Sequence, residues 1–323
     1  MDYGKILARA FEITLKHRAL WLFGVLFALF GGSSGGSFNF PSGGGSSGGR
    51  STGLDFPAMP TISSEMWQLI TILIGALVCL ALVWLVLSII LRFVSRGALI
   101  GLVQELEENQ TAPSVRRGFS IGAENFWRLF GIALVINIPL MLFSIVLLLL
   151  AALPIVLALL PLIRAGRTAP AELIATAVAG GVGSLALLCC AVLCLAVLNL
   201  VIHPFYEFIV RACVINKTGV MDSIRQGYAR VRANLGNVAV LYILAIGIGI
   251  AFGILMIPIT LLLIAVPVGA GFAVYALAQS VTSAIIAGVV LGIPMLIILI
   301  FISGLYQTFE STYWTLGYRA VKG

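Results

Sequence analysis

Along the chain, short stretches of mixed polarity alternate with long apolar runs. In 3–18, Leu7, Phe11 and Thr14 share one helical face, while Lys5, Arg9, Glu12 and Lys16 occupy the others. In 114–128, Val115, Phe119, Gly122 and Phe126 fall on one stripe, with Arg116, Arg117, Glu124 and Arg128 off it. In 222–235, Ile224, Tyr228, Val231 and Leu235 repeat that stripe position for position. This spacing predicts amphipathic helices, of a kind that lies in the headgroup plane with its apolar stripe towards the acyl chains.

The three stretches also match one another. A small residue precedes an aromatic in Ala10-Phe11, Gly118-Phe119 and Gly227-Tyr228, and His17, Asn125 and Asn234 follow two turns later. The small residues recur at intervals of about 108 positions, the mark of an internally repeated architecture. The predicted fold is therefore all-α and membrane-integral. Six transmembrane helices form three units, about 1–108, 109–217 and 218–323, each an interfacial helix followed by a helical hairpin.

The expected spans are 19–30, 67–93, 129–150, 174–202, one from about 238, and 283–305. The first holds few residues beside the ~20 that a crossing helix needs. It must begin earlier, thin the bilayer or fail to cross. Its charged start and short apolar core mimic a secretory signal, but it is the first copy of the repeat and is expected to be retained. Pro154 and Pro161 predict a bend over 152–163, and Pro258 and Pro267 an interruption of the fifth span. A separate crossing over 261–277 would make seven spans. The Gly/Ser-rich segment 31–66 predicts a flexible extracytoplasmic loop.

Composition removes the soluble alternative. The chain is 61% hydrophobic and 10% charged, against roughly 25% charged in soluble proteins. Of the 19 lysines and arginines, only Arg50, Arg164 and Arg167 fall outside the segments expected on one side. The positive-inside rule then puts both termini in the cytoplasm of a cell-membrane protein. Arg9, Arg116, Arg117, Arg225 and Arg230 become candidates for anionic lipid headgroups, and the formal charge of +7 calls for no nucleic acid. None of the cysteines (Cys79, Cys189, Cys190, Cys194 and Cys213) falls in an exported loop, so no disulfide framework is expected.

Candidate chemistry is sparse. Polar residues within or at the edge of spans are costly and therefore of interest: Asn137, Asn199, His203, Glu207, Gln279 and Glu310. His203 and Glu207 stand one helical turn apart, the spacing of a proton relay or half a metal site, but only His17 could add another imidazole. No metalloprotease or hydrolase motif is present, and no catalytic, cofactor or metal residue is assigned. Glu105, Glu107 and Glu108 form an acidic cluster, read either as a solvated helix end or as a docking site for a basic partner. The ends of the even spans resemble each other (Arg92-Phe93 with Arg96, Glu207-Phe208 with Arg211, Phe309-Glu310), which suggests charge pairing between the units.

The closing stretch Phe309-Glu310-Ser311-Thr312-Tyr313-Trp314-Thr315-Leu316-Gly317-Tyr318-Arg319, with Ser223-Ile224-Arg225-Gln226-Gly227-Tyr228 and the opening helix, resembles a group of bacterial multi-pass proteins. That group includes the membrane domain fused to glycerophosphoryl diester phosphodiesterases. The resemblance implies the membrane part alone, since the chain has neither the phosphodiesterase barrel nor its acidic metal ligands. The expected function is a non-enzymatic scaffold or accessory subunit acting with lipid, a membrane-protein partner or further copies of itself. A permease or channel for a lipid-like or neutral solute is the alternative, and an intramembrane enzyme the third reading.

Overall fold

The computed structural model describes residues 2–31, 64–109, 112–165 and 170–322. Among them the regular structure is entirely helical: α1 Tyr3–Lys16, α2 Arg18–Gly31, α3 Ser64–Asn109, α4 Val115–Ala165, α5 Ala171–Asn216, α6 Val220–Ala233, α7 Leu235–Ala278 and α8 Val281–Lys322. The Gly/Ser-rich loop expected over 31–66 lies outside the described residues for 32–63, and Ser64 already opens α3.

The breaks have local causes. At His17 the chain turns by 96° between α1 and α2, and the Trp21 indole donates back to the Thr14 carbonyl at 2.6 Å. After α5, Lys217 takes a left-handed conformation (φ 53°), and Gly219 precedes α6. Asn234 (φ −132°, ψ 37°) separates α6 from α7. Gln279 (φ 47°) turns the chain between α7 and α8, and the Ser283 hydroxyl donates to the Ser280 carbonyl. A non-glycine residue in that left-handed region costs about 1 kcal/mol, so these are deliberate stops.

Two expectations about continuity are corrected. The second amphipathic stretch is not a separate helix, because α4 runs unbroken from Val115 to Ala165 and passes Pro154. Likewise α7 passes Pro258 and Pro267 without a break, so no separate crossing forms over 261–277. In hydrocarbon, every unpaired backbone group costs several kcal/mol, and a long helix keeps its bonds around a proline better than a loop would. Five helices are long and apolar enough to cross a membrane, or six if the bent α1–α2 pair is one span. At 1.5 Å per residue, the 46 residues of α3 reach about 69 Å, more than twice the ~30 Å hydrocarbon core. The long helices must protrude.

Burial follows that division. The most apolar windows of the five long helices are only 0–11% buried, whereas the core is drawn from segments such as 93–106, 118–133, 204–214 and 304–318. The chain divides into two compact units. The first takes Met1–Ile6, Glu124–Leu244 and Trp314–Gly323. Its interior holds Leu129, Phe208, Arg211, Leu241, Trp314 and Tyr318, with Phe208 edge-on to Trp314 and Tyr318 at 6.2 and 5.6 Å. There α6 lies so close to α5 that a Cβ on Gly227 would stand 2.8 Å from the Ile209 Cα.

The second unit takes Leu7–Ala123 and Ala245–Tyr313. Ile13, Leu20, Phe23, Leu99, Ile100 and Leu102 fill it. Gly118 faces the Phe23 ring and Leu102, and Gly122 faces Val94. Elsewhere in this unit α2 and α8 meet at Gly24 and Gly304, where a Cβ on Gly304 would lie 2.6 Å from the Val25 Cα. The Thr308 hydroxyl sits within reach of the Leu20 carbonyl (3.3 Å) and the Gly304 carbonyl (2.9 Å).

Candidate functional site

The amphipathic segments turn to the protein a face that shares only Thr14, Gly122 and Val231 with the apolar stripes expected towards the acyl chains. In α4 the buried positions are Gly118, Ile121, Gly122 and Asn125, while Val115 and Phe119 stay exposed. In α6 they are Ser223, Gly227 and Val231, and in α1 Ala10, Ile13 and Thr14. Large apolar groups point away: Phe11 is 59% exposed, Met221 72% and Trp127 75%. Small and polar residues thus mark the packed face, since they let backbones approach, and bulky apolar residues mark the face left for lipid.

The five candidate headgroup arginines separate into two sets. Arg9 on α1 is held by Glu12 at 3.0 Å and by Glu107 of α3 at 3.1 Å. Arg117 makes a bidentate contact with Glu105, at 3.0 Å from Nε and 2.7 Å from Nη2. Glu105 and Glu107 are therefore engaged within the second unit, and the acidic cluster is largely neutralised there. The carboxylates hold the Arg9 guanidinium's pKa above its ordinary value, the hydrogen bond it donates to Glu12 first and that to Glu107 next. Arg230 is half-buried, with its guanidinium carbon 4.4 Å from the centre of the Tyr318 ring, a cation–π geometry. Arg116 and Arg225 remain exposed, with no ion-pair partner among the described residues.

The intramembrane candidates divide as well. Asn137 is exposed on α4. Asn199 is exposed on α5 and donates to the Leu195 carbonyl of its own helix at 3.1 Å. Gln279 is not deep in a span but forms the exposed turn between α7 and α8. Glu310 is half-buried on α8.

His203, Glu207 and Arg211 do come together, as a ladder along α5 in the first unit. His203 Nε2 is 3.8 Å from the Glu207 carboxylate. Arg211 donates to that carboxylate and, at 2.9 Å, to the Glu207 backbone carbonyl. Pairing between units is the expectation for Glu207 and Arg211, but the contact seen runs one turn along the same helix. The pair is shielded from water, with side chains 10% and 2% exposed. Tyr242 stacks on the His203 ring at 5.7 Å, and Trp314 closes the group at 6.0 Å from both. Aromatic walls and a compensated ion pair build a rigid joint, with the carboxylate occupied by its arginine. The sequence pointed to His203 and Glu207. It missed Tyr242 of α7, and also Trp314 and Tyr318, whose signal was the aromatic density of the closing stretch.

The long apolar helices, the protruding packed ends and the amphipathic segments define a multi-pass helical membrane protein. Within that class the chain belongs to the family of unknown function DUF7544, whose model matches residues 8–318. No curated protein and no solved structure matches it.

Proposed function

We propose that the protein is a non-enzymatic membrane scaffold or accessory subunit that organises anionic lipid along its cytoplasmic edge. One observation carries this reading. The amphipathic segments bury a small-residue stripe in protein and leave bulky apolar groups exposed, namely Phe11 and Leu15 on α1, Trp127 on α4, and Met221 and Tyr228 on α6. The exposed, unpaired Arg116 and Arg225 share those segments. A helix of this kind immerses its apolar groups at the acyl boundary and presents its cations to phosphates.

The burial pattern also supports three related units. Ala10, Gly118 and Gly227 are all buried, and the residue before each reaches the tail of an even-numbered span region: Arg9 to Glu107, Arg117 to Glu105, and Gln226 to Asn216 at 2.9 Å. The same orientation puts both termini in the cytoplasm, by the excess of basic residues on that side. The likeness to the membrane part of glycerophosphoryl diester phosphodiesterases fits a role without catalysis. Asn199 is bonded to its own helix and Gln279 forms a turn, so neither adds support to the transport alternative.

The test is native mass spectrometry of the protein drawn from bilayers of mixed phosphatidylglycerol and phosphatidylcholine. Arg116→Gln and Arg225→Gln should each reduce retained phosphatidylglycerol about fivefold, from ~1 kcal/mol per cation at an anionic surface. Arg9→Gln should change little, because Glu12 and Glu107 already hold that charge. Equal retention of both lipids by the native chain would refute the reading, and a stoichiometric co-purifying protein would identify the accessory role.

A further inference from the structure

Where α1 ends against the tail of α3, the second unit contains an open cavity of about 340 Å³, lined by Arg9, Glu12, Ile13, Lys16, His17 and Leu106. It is lined chiefly by polar and charged groups in an otherwise apolar chain. Its side chains do not all have work within the protein. Arg9 is committed to Glu12 and Glu107. Among the described residues, Lys16 has no ion pair, and the His17 imidazole has no hydrogen bond. Two adjacent nitrogen groups, one cationic, therefore face a space large enough for a small polar ligand.

We propose that this cavity is a binding site for the phosphate group of a phosphoester, with the Lys16 ammonium and the His17 imidazole as its ligands. A tetrahedral oxyanion accepts hydrogen bonds from several directions, and bonds to an ionised acceptor are about twice as strong as neutral ones. Glu12 and Glu107 would repel an anion if free, but both are bridged to Arg9, which offsets one of their two charges and holds both carboxylates on its guanidinium. The 96° bend between α1 and α2 falls at His17, directly after Lys16, and both residues line the cavity. Phe11 and Leu15 occupy the opposite face of α1 by helical spacing and are exposed. With those residues in the acyl layer, the cavity opens towards the aqueous side. Burial, followed by Lys16 and Arg9, pushes the His17 imidazole pKa below its ordinary value, with Glu12 opposing. A bound phosphate would supply the missing counter-charge and raise it. The site rests on the scaffold reading for the placement of Phe11 and Leu15 in the acyl layer, but it uses neither Arg116 nor Arg225, so the two can fail separately.

The experiment uses the full chain in a phosphate-free maltoside detergent, with two probes. Glycerol 1-phosphate is titrated calorimetrically. In parallel, the protein is moved into discs of phosphatidylglycerol or of a galactolipid, and the His17 ring resonance is followed. Saturable binding of glycerol 1-phosphate that falls about tenfold or more in both Lys16→Gln and His17→Gln, but not in Arg18→Gln, supports a site for soluble phosphoesters. A His17 shift in phosphatidylglycerol discs alone, absent in galactolipid and abolished in Lys16→Gln, supports a headgroup as the source. Thermal unfolding of each variant checks that the fold is kept, and Lys16, being exposed, is a safe position. No saturable response to either probe, or equal weakening by Arg18→Gln, would overturn the proposal.

Discussion

Gly227→Ala tests whether close backbone approach holds the α5–α6 joint. The added Cβ would lie 2.6 Å from Ile209 Cγ1, 2.8 Å from its Cα and 2.9 Å from its N. Two of those atoms are backbone and cannot rotate away, so α6 must lift from α5. Overpacking of this kind costs about 1–3 kcal/mol, and the upper part of that range applies here. Exchanging glycine for alanine in a helix returns about 1 kcal/mol of propensity, leaving roughly 1–2 kcal/mol of net destabilisation. That is about a five- to thirtyfold change in the unfolded fraction. Gly247→Ala in α7 is the control, since a Cβ there meets nothing within 4 Å; it should be neutral or stabilise by up to about 1 kcal/mol. Reversible unfolding by denaturing detergent, titrated into mild micelles, reads both. Adding Ile209→Ala to Gly227→Ala should rescue only in part, because it removes Cγ1 and leaves the Cα and N clashes. A Gly227→Ala protein at least as stable as Gly247→Ala, or full rescue by Ile209→Ala, would refute the packing described for this joint.

Further outcomes follow from the charged groups. Glu207→Gln should destabilise by about 3–5 kcal/mol, because the buried Arg211 loses the charged carboxylate to which it donates. Adding Arg211→Gln should recover much of that loss in the same unfolding assay, and no recovery would mean that the two act separately. His17, with its pKa below the ordinary value of 6.5, should titrate below that value by NMR in phosphate-free micelles. On acidification the unfolded chain takes up this proton first, so the stability present above pH ~6.5 is lost as pH falls through the folded midpoint; a midpoint at or above 6.5 would contradict the assignment. Arg117→Gln should cost less than about 1 kcal/mol and lose its effect in high salt, since its pair with Glu105 is partly exposed.

The helical class and the approximate spans were legible because a run without a polar face has one stable setting, the hydrocarbon core. The packed face of each amphipathic segment was not. Hydropathy assigned Val115, Phe119, Gly122 and Phe126 to the acyl chains and named no packed face; the chain buries Gly118, Ile121, Gly122 and Asn125, with Gly122 common to both. In water an apolar stripe seeks protein, but in lipid it is equally content with acyl chains, so the stripe loses its meaning. The small residues carry the information instead: Ala10, Gly118 and Gly227, noted in the sequence only for their recurrence, are all buried. Continuity through Pro258 and Pro267 was misread because the rule that prolines end helices belongs to water, which can solvate the freed carbonyls. Arg9 with Glu107 could not be read at all, for these residues lie far apart in sequence and surface pairs leave no periodic trace.

The same physics locates the stability of the chain. Within the span windows, at most 11% of residues are buried, so helix contacts there add little beyond what lipid already supplies. Ordering must come from segments where side chains leave both lipid and water. Those segments hold the polar groups that a hydropathy scan scores as weakness: Ser95, Asn125, Gln307, Thr308, Thr312 and Thr315 are all buried. On α8, Thr308 and Thr312 return their hydroxyls to carbonyls, Thr312 to that of Thr308 at 2.8 Å, so neither hydroxyl is stranded and the helix can be held closely. Gly304 then brings α8 against Val25 with no side chain between. One methyl group at Gly304 or Gly227 should therefore outweigh several apolar exchanges among Leu73, Leu80 and Val83, which face lipid whichever residue stands there.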